Sequence, residues 1–282
     1  ITEPLASGSN IIYAGEDVAA GDLAAEAGTL VTPPLVGLLA ALGMETVPVY
    51  GKCRVALFST GDELLEPPQA LQPGKIYNSN LHSLRAYCRM VGAETVALGT
   101  AVDEETVIAA RLEEALLQAD LVMTTGGVSV GDYDLLPAAL RKVGAKILFH
   151  GLDMKPGSPA MGAVCRGKPI LALSGNPAAA LIAFELLGAP LLKKMLGWKN
   201  VLPQRVGAIL DDDFAKTSRQ RRFVRVRLEA QGMQLHAKLA GSQSNGALQS
   251  MAVSNALLDV PAGSGPLKAG QSVEAVLTGP LA

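Results

Sequence analysis

Fifteen residues, Asp120 to Asp134, constrain this chain more than any others. Leu121 to Thr125 is an apolar, strand-forming run that breaks at Gly126-Gly127; Gly131 follows, and a helical pattern resumes at Tyr133. Strand, glycine-rich turn and helix is the arrangement by which an α/β sheet offers backbone N–H groups to an anion. Gly126 and Gly127 allow positive φ or a close approach of backbone to a neighbour. Ser129 adds a hydroxyl, and Asp132 and Asp134 place two carboxylates beside the same loop. Carboxylates next to a phosphate cradle repel phosphate unless a cation lies between them, so the loop predicts a phosphorylated ligand with a hard divalent metal. The plainer reading is a strand-to-helix turn with acidic N-capping, and the rest of the chain decides between them.

With 282 residues, 49% hydrophobic and 18% charged, the chain is long enough for two or three packed domains. A formal net charge of −2 gives no electrostatic case for a nucleic-acid partner or an anionic membrane surface. Cys53, Cys88 and Cys165 are widely separated, lie in apolar contexts and lack zinc-like spacing, which predicts reduced thiols in a cytoplasmic protein. The longest apolar runs, such as Leu35 to Leu42, are too short to span a bilayer. The first residue is Ile rather than Met, which predicts that further sequence precedes it.

Residues 1–50 read as a linker module, with a short strand at Ile11 to Tyr13. A helix started by Pro33 or Pro34 carries Leu35, Leu38, Leu39 and Leu42 on one face and stops at Gly43. Residues 51–198 alternate strand and helix. Strands are expected at Val55 to Ser59, Glu94 to Gly99, Leu121 to Thr125, Ile147 to His150, Met161 to Cys165 and Pro169 to Leu173. Helices are expected from an Asn80 cap to Val91, from Asp103 to Gln118, after the glycine loop, and from Pro177 to Leu196. This alternation predicts an α/β fold, a mostly parallel sheet covered by helices on both faces, with ligands beyond the carboxyl ends of its strands. Five polar segments fall at such ends: Asp62-Glu63, Asp103, the Gly126 loop, Lys155-Pro156-Gly157 and Ser174-Gly175-Asn176-Pro177. Residues 199–282 hold short β-rich runs separated by Gly, Ser and Pro, which predicts a separate small β-barrel or sandwich. There, alternation would put Phe223 with Arg225 and Arg227 on one strand face and Arg222 with Val224 and Val226 on the other. The arginines are either a solvated face or a lip touching phosphate.

Taken together, Thr60-Gly61-Asp62-Glu63-Leu64, Thr125-Gly126-Gly127-Val128-Ser129-Val130-Gly131, Met154-Lys155-Pro156-Gly157 and Ser174-Gly175-Asn176-Pro177 form an ordered motif set. The set resembles the MoeA-type molybdopterin molybdenumtransferases, the family of the gephyrin E domain, across essentially the whole chain. The resemblance implies a three-layer molybdopterin-binding domain followed by a small all-β barrel, with the family's further N-terminal portion absent. It also implies a cytoplasmic homodimer that takes adenylated molybdopterin from a molybdopterin adenylyltransferase. The family inserts molybdate with Mg²⁺-dependent hydrolysis and release of AMP. Carried over by position, Asp62, Glu63, Asp103, Asp134 and Lys155 would be the catalytic set, with Glu63, Asp103 and Asp134 around the metal. Thr125, Gly126, Gly127, Ser129, Gly131, Asp132, Pro156, Gly157, Ser174, Gly175, Asn176 and Pro177 would seat pterin and phosphate. Two departures stand out. Gly151, preceded by His150, replaces a lysine common in the family, and Ile12-Tyr13-Ala14 stands where arginines are common. His150 could replace the lysine only when protonated. A divergent insertase and a non-catalytic molybdopterin-binding scaffold both remain open, as does a molybdopterin adenylyltransferase, although the β-rich tail argues against the last.

Overall fold

The computed structural model describes residues 4–128 and 135–281. They form two compact units: the described residues up to Tyr50 with Gly197–Lys199, and Gly51–Leu196 with the chain from Asn200 onward. In the first unit, helix α1 (Pro33–Ala41) starts on two prolines whose missing N–H groups would have no helical partner anyway. It stops at Gly43, whose φ of +77° lets Met44 N–H reach back to Leu39 O at 3.0 Å. Leu35, Leu38 and Leu39 are half-buried and Leu42 is exposed, so the expected packing face is only partly covered. Ile11 to Tyr13 forms no strand; the segment turns, with Tyr13 N–H donating to Glu16 Oε2 at 2.9 Å. A strand needs a neighbouring ladder for its N–H and C=O groups, and this one has none among the described residues.

The second unit runs β1 (Arg54–Thr60), β2 (Leu64–Leu65), β3 (Ile76–Tyr77), α2 (Ser79–Val91), β4 (Glu94–Ala101), α3 (Glu105–Gln118) and β5 (Leu121–Thr125). It continues with α4 (Leu135–Lys142), β6 (Lys146–His150), β7 (Met154–Lys155), β8 (Met161–Cys165), β9 (Lys168–Leu173), α5 (Pro177–Ala183) and α6 (Ala189–Met195). Six strands make one sheet in the order β4-β1-β5-β9-β8-β6, parallel from β4 to β9, with β8 antiparallel to both its neighbours. Central strands covered on both sides must be apolar on both faces. Ala56 and Phe58 of β1 pack with α3 and α4, while Val55 and Leu57 pack with α2, α5 and α6. The sheet is therefore the middle of three layers.

Two local expectations need correction. Helix α2 is capped by Asn78, whose Oδ1 accepts from Leu81 N–H at 3.2 Å; Asn80 lies inside the helix and does other work. The long helix expected from Pro177 is interrupted by a π turn, Phe184–Gly188. Glu185 sits in that turn, and burial raises its carboxyl to about 7 against the opposing pull of Lys193. Burial, with Glu185 nearby, also pushes the Tyr87 hydroxyl up to about 12.

The chain then builds β10 (Arg205–Leu210), β11 (Arg221–Gln231), β12 (Gln234–Leu239), α7 (Leu248–Val253), β13 (Ala256–Val260) and β14 (Ser272–Leu277). The order β12-β10-β14-β13-β11, with β11 pairing back to β12, closes a five-stranded barrel around Val224, Val226, Leu228, Ala237 and Leu258. Strand β7 adds to its edge, with Met154 opposite Arg221 and Lys155 opposite Arg222. Simple alternation along β11 fails because residues 223–226 are all buried: one face fills the barrel and the other lies under neighbouring segments.

Glu185 gives a prediction with a definite sign. Its folded pKa lies above the ordinary value, so the folded state is penalised once the unfolded carboxyl ionises and is not penalised at lower pH. Glu185→Gln is expected to change Tm little at pH 4. The gain should grow between about pH 4.5 and 7 and level off at about 2 kcal/mol, since solvent partly screens the carboxylate. Thermal unfolding across that range checks it.

Candidate functional site

The loop-bearing ends of β1, β5 and β9 meet in hydrogen-bond and van der Waals contact. Gly126 has φ +88° and lies so close to the end of β1 that a Cβ there would stand 2.4 Å from Thr60 O. On its other side Gly175 approaches, with a Cβ there falling 3.6 Å from Gly126 Cα. Gly126 N–H donates to Leu173 O at 3.1 Å, which ties the glycine loop to β9. Beneath these glycines lie buried polar side chains. Ser59 Oγ lies 2.8 Å from Thr125 Oγ1 and donates to Asn78 Oδ1 at 3.0 Å. Asn80 Nδ2 donates to Gly175 O at 2.8 Å, while Asn80 Oδ1 and Thr60 Oγ1 are buried and find no partner among the described residues. Asn176 N–H donates to Ser174 Oγ at 3.2 Å and opens α5, with Pro177 in its first turn.

The expected acids of β1 and β4 come together at the same end. Asp103 N–H donates to Asp62 Oδ1 at 3.1 Å, and the Glu63 carboxylate folds back over Gly61, where a Cβ would meet it at 2.8 Å. Desolvation raises the Asp103 carboxyl above its usual range; a backbone hydrogen bond at Asp62 opposes this, and the Asp62 and Glu63 charges add to it. The carboxylates therefore repel one another across a small volume, a situation a hard divalent cation relieves. Their oxygen-donor chemistry fits such an ion, but among the described residues no three acids converge as a complete metal set. Asp134, the third expected ligand, lies outside the described residues, as do Ser129, Gly131 and Asp132.

Lys155 and Pro156 lie elsewhere in the unit, on a cleft of about 230 Å³ beside the barrel. Its other lining residues are Phe214, Lys216, Arg222, Phe223, Val224 and the loop Gln243 to Asn245. Three cations, Lys155, Lys216 and Arg222, thus face one cleft with no carboxylate lining it. Gly157 adjoins this segment and packs tightly, since a Cβ there would fall 3.2 Å from Ala179 O. The arginine run of β11 divides accordingly. Arg221 is spent on Asp259 at 2.6 Å, Arg227 pairs with Glu229, and Arg222 turns to the cleft. Arg225 is only 1% exposed and donates through Nη2 to Ser242 O and Ser244 O at 2.9 and 3.0 Å. Burial without a carboxylate partner lowers its pKa from the usual arginine range. Arg225 thus fixes the 242–245 wall of the cleft, and Asn245 O in turn accepts from Ala178 N–H at 2.9 Å in the first turn of α5. That bond joins the cleft wall to the segment following Ser174–Pro177.

Three family models match consecutive parts of the chain. The MoeA N-terminal region (domains I and II) matches 1–43, a probable molybdopterin-binding domain matches 56–194, and the MoeA C-terminal region (domain IV) matches 207–278. The molybdopterin molybdenumtransferase of Staphylococcus aureus strain MRSA252 is 36% identical over 278 residues, 99% of this chain and 66% of that protein. The chain belongs to the MoeA family. Its Bacillus subtilis relative is 38% identical over 273 residues, 96% of this chain and 63% of the relative. The crystal structure of a MoeA molybdopterin biosynthesis protein from Pyrococcus horikoshii superposes with a TM-score of 0.83 at 29% identity, covering 94% of this chain and 64% of that one. This MoeA chain thus spans about two thirds of the length of its curated relatives.

Sequence reasoning had marked Lys155 and the acids but missed Lys216, the Gln243–Asn245 wall and the buried layer of Thr60, Asn78 and Asn80. The arginine cluster was the one visible signal for the cleft. Asn80 read only as a helix cap, and nothing in the local pattern marked Asn78. The repulsion at Asp103 generates a prediction: Asp103→Asn removes it and is expected to leave Tm unchanged or raise it by up to about 2 °C. The same substitution should weaken Mg²⁺ binding, measured by calorimetry. A Tm several degrees lower would show that Asp103 holds the fold rather than the site.

Proposed function

We propose that the full-length protein serves molybdenum cofactor biosynthesis as a molybdopterin molybdenumtransferase, inserting molybdate into adenylated molybdopterin and releasing AMP. The observation that carries this reading is the carboxylate-free cleft of Lys155, Lys216 and Arg222, tied through Asn245 to the α5 end of the sheet. An oxyanion or phosphate gains most where several cations converge and no acid competes. The two curated relatives carry this activity in their names, and the match to the MoeA C-terminal region favours it over an adenylyltransferase.

On this reading the cleft cations bind and orient the anionic parts of the substrate. Lys216 and Arg222 supply positive charge that Gly151 and Ile12-Tyr13-Ala14 do not. Glu63 and Asp103, with Asp134, would hold Mg²⁺, and Asp62 would fix Asp103 through the 3.1 Å hydrogen bond. Bound there, the ion would neutralise phosphate charge and supply an ordered water for phosphoanhydride hydrolysis. The glycine loop and Ser174–Pro177 would seat the pterin and phosphate. Domain limits at 50/51 and 198/199, a homodimeric assembly, a cytoplasmic location and supply of substrate by a molybdopterin adenylyltransferase belong to the same proposal. Among the described residues no helix is long and apolar enough to cross a membrane.

The test uses the full-length gene product with adenylated molybdopterin, Mg²⁺ and molybdate, following AMP. Molybdate-dependent AMP release is expected, lowered by at least about a hundredfold in both Glu63→Ala and Lys155→Ala. Tight substrate binding with no AMP from the unaltered protein would overturn the enzyme reading and leave a cofactor-binding scaffold.

A further inference from the structure

The polar layer under the glycine loop has a direction. Asn78 Oδ1 accepts from Leu81 N–H at 3.2 Å, and Asn78 Nδ2 donates to Glu66 Oε1 at 2.8 Å and to Thr100 Oγ1 at 3.2 Å. Turning the amide over would set Nδ2 against the Leu81 N–H and Oδ1 against the Glu66 carboxylate, two repulsive contacts, so the amide has one orientation. Ser59 must therefore give its single hydroxyl proton to Asn78 Oδ1 at 3.0 Å. In the 2.8 Å contact between Ser59 and Thr125, the donor is then Thr125. The donors run Thr125 to Ser59 to Asn78 to Glu66, and the second Glu66 oxygen lies 3.0 Å from His82 Nε2 at the surface. Ser59, Asn78 and Thr125 are 0%, 1% and 3% exposed, so water does not compete for these bonds. Gly126 N–H is already committed to Leu173 O. An anion at the loop would thus be met by the N–H groups of Gly127 and Val128, which follow directly on Gly126 and Thr125.

We propose that Glu66, Asn78 and Ser59 are positioning residues that act through Thr125 to hold the Gly126 to Val128 segment of the glycine loop for its ligand. None of the three touches the ligand; Glu66, at the end of the chain of donors, sets its direction together with the Leu81 N–H. The ligand part of the proposal rests on the molybdopterin reading above, whereas the loop-ordering part does not.

The experiment uses full-length protein with two readouts: hydrogen exchange of the Gly126 to Val128 amides without ligand, and binding of molybdopterin followed by its fluorescence. Losing one buried hydrogen bond corresponds to roughly tenfold in an equilibrium. Ser59→Ala and Glu66→Ala should each speed loop exchange about tenfold while amides of β8 and α3 keep their rates, and should weaken molybdopterin binding by roughly the same factor. Glu66→Gln retains an acceptor for Asn78 and should restore both readouts to within about threefold of the unaltered protein. Unchanged loop exchange and unchanged affinity in Ser59→Ala would overturn the proposal, as would equal acceleration throughout the sheet, which marks a merely structural role. Faster loop exchange in a protein that binds no molybdopterin even when unaltered would support the positioning role and sink the functional reading instead.

Discussion

A Cβ on Gly126 would stand 2.4 Å from the Thr60 carbonyl oxygen and 2.8 Å from its hydroxyl. Strands β1 and β5 can end side by side only because that position carries no side chain and holds a φ of +88°. Once the two ends are in register, Ser59 reaches Thr125, Asn78 reaches Ser59, and Gly175 of the next strand end comes within contact of Gly126. The acids follow from the same register, since Asp62 begins the loop after β1 and Asp103 the loop after β4, and the hydrogen bond between them spans neighbouring strands.

The unit keeps its negative and positive groups on different structures. The carboxylates belong to loops of the parallel sheet, where they repel one another and favour a cation. The cations belong to a cleft whose walls are the barrel and the β7 segment. Mixing the two sets would neutralise both through ordinary ion pairs, as Arg221 and Asp259 do elsewhere in the barrel. Kept apart, the cleft cations stay available to an anionic group and the carboxylates stay unneutralised. Arg225 serves this separation indirectly: its buried, unneutralised guanidinium clamps the carbonyls of Ser242 and Ser244, and Ser244 with its neighbours Gln243 and Asn245 lines the cleft.

Much of the fold was legible because periodicity reports burial. Strands buried on both faces read as apolar runs, and β5 and β8 fall on the residues expected for them. Where the reading failed, longer-range contacts decided the outcome. Ile11 to Tyr13 has strand composition but, among the described residues, no ladder to join. Alternation along β11 gave way because Arg225 is buried by the 242–245 loop, nineteen residues further on at Ser244, which local pattern does not register. At the site, charged residues announced themselves at strand ends, whereas Thr60, Ser59 and Asn78 are ordinary polar residues. Their importance comes from being buried beneath a glycine turn. The pairing of β7 with the barrel was equally invisible, since two residues carry no period.

The claim that the loop end of the sheet depends on the close approach of Gly126 to Thr60 is tested by comparing two substitutions in equilibrium urea unfolding. Gly144 has a φ of +74° and open space where a Cβ would fall, whereas Gly126 has a similar φ and no space. Gly144→Ala should lose only the conformational cost, about 1 kcal/mol, while Gly126→Ala should lose roughly 2–4 kcal/mol because β1 and β5 must part. Equal losses at the two positions would contradict the account, since the glycine would then be needed for its backbone angle alone.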